Sequence, residues 1–206
     1  MNDKLGISIE DWNEVQAIEM GEYESLQLGG HEIIIMGAGL YTSDISGNTS
    51  LKVVVDIAGN DKQKGFFKKQ YDENTEADKK WPTGAVRYLS LKKESLAYTK
   101  GFITALEKSN NNFKFDTSKG WEQLKGLKCC GVFGLEEYQN DKGETKTATK
   151  LVQFRSLDKL SEVKIPKVKL LDGTMVDYEE YRKKGNTNKV EEMFGDIVEI
   201  SDNFLD

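Results

Sequence analysis

The chain holds one histidine, His31, and only two cysteines, Cys129 and Cys130, side by side. Neighbouring residues in a strand point to opposite faces, so an ordinary disulfide between these two would need a distorted backbone. Their expected roles are a small buried hydrophobe and a semi-exposed thiol. With one histidine and no second cysteine cluster, little is left from which to build a metal site or a nucleophile–base pair. His31, alone at a strand start, reads as a surface or capping residue. Long apolar runs are also lacking: none approaches the ~20 residues that cross a bilayer. The N-terminal stretch MNDKLGISIEDW has no basic-then-apolar leader pattern. The expectation is a cytoplasmic protein with no membrane partner. Phosphate and dinucleotide motifs are missing as well. There is no G-x-x-x-x-G-K-[ST] loop, and Gly37-Ala38-Gly39 is followed by no third glycine and helix. There is no G-x-S-x-G elbow. Glu136-Glu137 and Asp56 are carboxylates that no spacing gathers with a lysine into a nuclease-like cluster. The reading is a protein with no catalytic residue, no metal and no cofactor.

What is present is charge, unevenly spread, and aromatic rings. The net charge is −6 over 206 residues. Residues 1–30 hold seven acids and one base, and residues 190–206 hold six acids and no base. The middle, 31–189, holds 22 acids and 28 bases. A basic body with acidic ends can attract a polyanion, while the ends shield it or recruit a basic partner. Three Trp, eight Tyr and nine Phe suffice for one core. The expected organisation is an acidic segment over 1–24, one binding domain over 25–170, and an extension with an acidic tail over 171–206.

Leu124–Ser156 reads as one long β-hairpin. Period-two alternation runs along Leu127–Tyr138 and Thr145–Ser156, and Asn140-Asp141-Lys142-Gly143 supplies the turn. Gly131 and Gly134 predict a bend or bulge in the first arm. Upstream, His31–Tyr41 is a strand broken by Gly37 and Gly39, and Leu51–Ala58 is a second. Gly65–Asp72 reads as a third, by alternation of Phe67, Lys69 and Tyr71 against Phe66, Lys68 and Gln70. Val86–Ser109 then reads as the major helix, with an apolar stripe through Tyr88, Leu91, Leu96, Tyr98, Phe102, Ile103 and Leu106. Around Asp172-Gly173 a final small strand pair or helix is expected. The fold class is mainly β with one major helix. Its order β-β-β-α-β-β is that of a five-stranded OB-fold barrel.

Basic residues interleave with rings along these elements. The third stretch gives Phe67, Lys68, Lys69 and Tyr71; the loop and helix start give Lys80, Trp81, Arg87 and Tyr88. The hairpin gives Lys128, Tyr138, Lys146, Lys150, Phe154 and Arg155. Single-stranded nucleic acid offers two handles to such a set: phosphates for Lys and Arg, and unstacked bases for aromatic faces. Phe133, Phe102 and one of Phe66 and Phe67 are expected in the core, whereas Tyr71, Trp81 and Tyr138 border loops. Asp196, Asp202, Phe204, Leu205 and Asp206 place hydrophobes among acids in a tail suited to a protein partner, or to packing on the domain itself.

Five stretches together resemble a known family: Val55-Asp56-Ile57-Ala58; Gly65-Phe66-Phe67-Lys68; the Trp81-Pro82 loop; Lys100-Gly101-Phe102-Ile103-Thr104-Ala105-Leu106-Glu107-Lys108-Ser109-Asn110; and Leu124-Lys125-Gly126 with Gly134-Leu135-Glu136-Glu137-Tyr138. They are similar to small single-stranded DNA-binding proteins from the replication and recombination modules of phages of Gram-positive bacteria. The match covers about residues 23–170. The resemblance implies an OB-fold that coats and protects single-stranded DNA in the cytoplasm of an infected bacterium. Asp202-Asn203-Phe204 resembles the acidic tip of such proteins, although Leu205-Asp206 follow it and no proline precedes the Phe. The implied partners are single-stranded DNA and, through the tail, replication or recombination proteins; the sequence leaves a homodimer open. A different class is an interaction protein or inhibitor that binds a host protein through its acidic ends.

Overall fold

The computed structural model describes residues 25–184. They form a mixed α/β fold, mostly strands in one open sheet. The strands are β1 (Gly29–Thr42), β2 (Thr49–Ile57), β3 (Val86–Ser90), β4 (Lys128–Gln139), β5 (Thr145–Arg155), β6 (Val168–Lys169) and β7 (Met175–Val176). The helices are α1 (Phe66–Glu73) and α2 (Leu96–Ser109), with short 3-10 turns at Thr83–Ala85, Lys93–Ser95, Trp121–Leu124 and Leu157–Glu162. A last helical segment spans 178–184.

The sheet runs β3-β2-β1-β4-β6-β7, and β5 pairs with the other edge of β4. All pairings are antiparallel except β4 with β6. β1 occupies one edge of β4 as far as Phe133, and β6 takes over that edge at Glu136. The β-branched run Ile33–Ile35 sets the inner face: Ile33, Ile35, Leu51, Val53, Val55, Cys129, Phe133 and Leu151 are buried together. Phe102 and Leu106 of α2 and Phe67 of α1 complete that core. The expected hairpin is present, and its register shifts between Val132 and Phe133, inside the Gly131–Gly134 stretch. A Cβ on Gly131 would meet Ile33 at 2.9 Å, so the core needs that residue bare. β1 also carries an irregularity, between Ile35 and Gly37. The pair β6–β7 flanks Asp172-Gly173, as the sequence suggested.

Four expectations are corrected. Residues 65–72 are not a strand: Phe66–Glu73 is helix α1. Its first amide groups are satisfied by Asp56, whose Oδ1 accepts from the Phe67 and Lys68 N–H groups at 3.0 and 3.4 Å. A carboxylate at a helix N-terminus also opposes the helix dipole favourably. Lys68–Asp72 and Lys69–Glu73 are i,i+4 pairs along the exposed side. The major helix does not begin at Val86. Val86–Ser90 is β3, paired to the edge of β2, and the helix covers only Leu96–Ser109. Thr99 Oγ1 donates to the Ser90 carbonyl and fixes the corner between them. His31 is neither a surface nor a capping residue. It is buried, with its ring nitrogens 3.0 Å from Asp61 Oδ2 and 2.9 Å from the Gln27 carbonyl. Cys130 is buried like Cys129, because residues 157–163 cover the second face of the sheet: a Cβ on Gly30 would meet Val163 at 3.0 Å and Leu160 at 3.1 Å.

The sheet is not closed. Among the described residues no hydrogen-bonded ladder joins β3 to β5. A different contact spans the opening. Lys150 Nζ donates to Thr83 Oγ1 at 2.8 Å, and Gly84 lies so close to β5 that a Cβ there would meet the Thr149 carbonyl oxygen at 2.7 Å.

Candidate functional site

The opening between β3 and β5 is a groove. Its first cavity, about 400 Å³, is lined by Lys52, Lys80, Trp81, Thr83, Val86, Arg87, Tyr88, Glu136, Lys150 and Leu151. Strand alternation places Lys52, Val86 and Tyr88. In β2, Leu51, Val53 and Val55 point inward, so Lys52 points out. Lys52 is paired with Tyr88 of β3, and Val54 with Val86; directly paired residues share a face. Tyr41, at the end of β1, packs its ring 5.0 Å from Tyr88. Trp81 is held in place rather than free: Nε1 donates to the Val55 carbonyl at 3.0 Å, and Tyr71 lies 5.3 Å away, ring to ring. Lys79 sits over the Tyr71 ring, 4.8 Å from its centre.

Four cations therefore face one carboxylate, Glu136, in this cavity. Lys80 is close to Asp78, 3.8 Å away, but both side chains are strongly exposed and such a pair is worth little. Lys52 and Arg87 make no ion pair among the described residues. Glu136 is itself 3.9 Å from Lys169. The groove continues past Arg87 into a second cavity, about 250 Å³, with Leu89, Ala97, Tyr98, Gly101, Phe102, Val152, Gln153 and Phe154 on its walls. Arg87 lines both cavities.

Five of the residues named from sequence meet in the first cavity: Lys80, Trp81, Arg87, Tyr88 and Lys150. Phe154 lines the second, with its ring 4.2 Å from that of Phe102. Tyr71 supports Trp81 from behind. The others lie elsewhere. Phe67 is core, 3% exposed, with its ring 5.7 Å from Phe133. Lys68 and Lys69 lie on α1 in ion pairs, and the hydrogen bond to Asp72 raises the Lys68 ammonium pKa above the usual lysine value. Lys128 is bound to Glu32 at 2.8 Å. Tyr138 and Lys146 pair with each other near the hairpin tip, and Lys146 lies 3.3 Å from Glu144. Arg155 Nε donates to Gln153 at 3.3 Å, and the register pairs Arg155 with Cys130. The tail residues Asp196, Asp202, Phe204, Leu205 and Asp206 lie outside the described residues.

Sequence reasoning missed Lys52 and Tyr41. Lys52 was legible as the outward residue of an alternating strand. Tyr41 acquires meaning only from its contact with Tyr88, 47 residues further along. Glu136-Glu137 joins no nuclease-like cluster by spacing, but Glu137 ties down the C-terminal part of the domain: it accepts from Tyr181 Oη at 3.0 Å and from the Leu171 N–H at 3.1 Å. Burial in part, and that hydrogen bond, push the Tyr181 phenol pKa above its ordinary value.

Among the described residues, no group of three His, Cys, Asp or Glu side chains converges as metal ligands. The cations and rings of the groove offer binding chemistry: charge for an anion and flat faces for planar groups. No protein-family model matches the chain, and no curated protein matches it.

Proposed function

We propose that the chain binds single-stranded DNA without sequence specificity and without catalysis, in the groove between β3 and β5. The observation that carries this reading is the convergence of Lys52, Lys80, Arg87 and Lys150 against a single carboxylate, beside the rings of Trp81 and Tyr88. Phosphates release counterions when such cations neutralise them, and bases stack on exposed rings for about 1–3 kcal/mol each. Neither interaction reads sequence.

The fold supports the same reading in its finer form, an OB-fold. A β1–β2–β3 meander, a helix and a β4–β5 hairpin, with β1 paired to both β2 and β4, are the parts of such a barrel. The Lys150–Thr83 hydrogen bond and the close approach of Gly84 to β5 span the opening that such a barrel would close. The role that fits is coating and protection of strands during phage replication or recombination, as the resemblance implies.

The test is fluorescence anisotropy of a labelled oligo-dT of ~30 nucleotides, titrated at several salt concentrations beside a duplex of equal length. Expected is binding to the single strand that weakens steeply with salt, and little binding to the duplex. The log–log salt slope is expected to fall by about 0.7 for each phosphate contact removed, in Lys52→Ala and in Lys150→Ala. Equal affinity for both forms, or a slope unchanged in both variants, would overturn the assignment.

A further inference from the structure

Gly37, Gly39 and Gly101 pose a question that packing does not answer. Each has an ordinary φ, and a Cβ added to any of them would meet nothing within 4 Å. Glycine is unfavourable in the middle of a strand or a helix, which is where these residues lie. Gly84 and Gly131 differ, because neighbouring atoms forbid them a side chain. Gly37 stands at the β1 irregularity, which accounts for a glycine there; Gly39 and Gly101 have no such reason, and both border the groove. Gly39 is paired with Lys52, and Lys52 with Tyr88, so all three share one face; Gly37 aligns in the same way with Val54 and Val86. Gly101 lines the second cavity with Arg87, Tyr98 and Phe154. Tyr98, three residues before Gly101 on α2, is 78% exposed. A bare main chain in a strand commonly marks the close approach of a ligand.

We infer, on the basis of the function proposed above, that the bound single strand is not confined to the first cavity of the groove. It crosses the bare main chain at Gly39, passes Arg87, and continues along the β3–β5 opening to Gly101 and Tyr98 of α2. The chemistry is consistent along this track. Tyr88 offers a stacking face before the Arg87 cation and Tyr98 another beyond it. The glycines let the sugar–phosphate chain come nearer than a side chain would permit. Lys52 stands beside Gly39 to receive a phosphate.

The test uses the full chain with Gly39→Thr, Gly101→Gln and Tyr98→Ala. Thermal melting is measured beside anisotropy with oligo-dT of ~6 and ~15 nucleotides, lengths within the ~4–16 that such a fold covers. Threonine suits strands and glutamine suits helices, so both glycine variants are expected to melt at or above the wild-type temperature. Gly39→Thr is expected to weaken both oligonucleotides about tenfold, the scale of one lost stacking contact. Gly101→Gln and Tyr98→Ala are expected to weaken only the longer one, abolishing its advantage over the shorter. Wild-type affinity for the longer strand in either glycine variant overturns the track. A clear drop in melting temperature overturns it too, because the glycines would then be structural. If the wild-type chain binds neither oligonucleotide, the proposed function fails and the track fails with it; if the wild type binds and the variants bind equally, the track alone fails.

Discussion

Asp56 is 5% exposed, and three amide groups converge on its Oδ1: those of Ile57, Phe67 and Lys68. Removing the carboxylate leaves buried donors without partners, which costs the desolvation of those groups. Asp56→Ala is therefore expected to destabilise the domain by about 1–3 kcal/mol, read as a lower urea midpoint. Asp56→Asn, which keeps one acceptor oxygen, is expected to lose less. The cysteines give a second prediction at this scale. Burial pushes the Cys130 thiol up to about 11 and the Cys129 thiol higher still. The thiolate is the reactive form, so a thiol reagent at pH 8 is expected to modify neither residue quickly in the folded chain and both in denaturant. Stability follows the same shift. Below the ordinary thiol value of 9.0 both folded and unfolded chains hold the proton. Between there and about 11 the unfolded chain releases it first, so stability falls as pH rises through that window.

At the scale of elements, α1 carries a general point. The stretch 66–73 alternates as well as a strand does, yet it also places Lys68 opposite Asp72 and Lys69 opposite Glu73 at helical spacing. Local pattern alone left both structures open. Asp56, ten residues before Phe66, tips the balance by satisfying the helix start. Because α1 lies outside the groove, Lys68→Ala and Lys69→Ala are expected to leave oligo-dT affinity near wild type, whereas Lys52→Ala weakens it. Comparable losses in all three variants would show that the groove is not the binding site. The split of 86–109 has a similar origin. Tyr88 and Leu91 fit a helical stripe that continues into α2, but the free edge of β2 pairs Val86–Ser90 first. The hairpin is the opposite case, since its arms, turn and bulge all follow from local residues. Lys128 belongs to it, and its partner Glu32 is only 8% exposed. Lys128→Ala is expected to cost stability rather than binding, because it leaves that carboxylate buried and unpaired.

Charge organises the whole molecule. Residues 25–184 hold 27 bases and 22 acids, while the acids of 1–24 and 190–206 reverse the balance for the full chain. Deleting 190–206 removes six acids and no base. Under the proposed function this leaves oligo-dT binding intact or tightens it, most at low salt, where charges act over longer distances. Under the competing reading, in which the acidic ends bind a host protein, the same deletion abolishes the partner and leaves any oligonucleotide binding untouched. The sequence by itself determined this charge layout, the hairpin with its bulge, the strands β1 and β2, and five of the residues that line the first cavity. All of these rest on properties within a few residues: alternation, turn chemistry and charge count. Only the tertiary structure decided that 66–73 is a helix, that β3 exists, that Phe67 and His31 are buried, and that Lys128 is engaged in an ion pair with Glu32. Those outcomes depend on partners far along the chain, such as Asp56, the edge of β2, Asp61 and Glu32. The groove is of the same kind: Lys52, Trp81, Arg87 and Lys150 span almost 100 positions, and the β2–β3 pairing, the Trp81–Val55 hydrogen bond and the Lys150–Thr83 contact bring them to one opening.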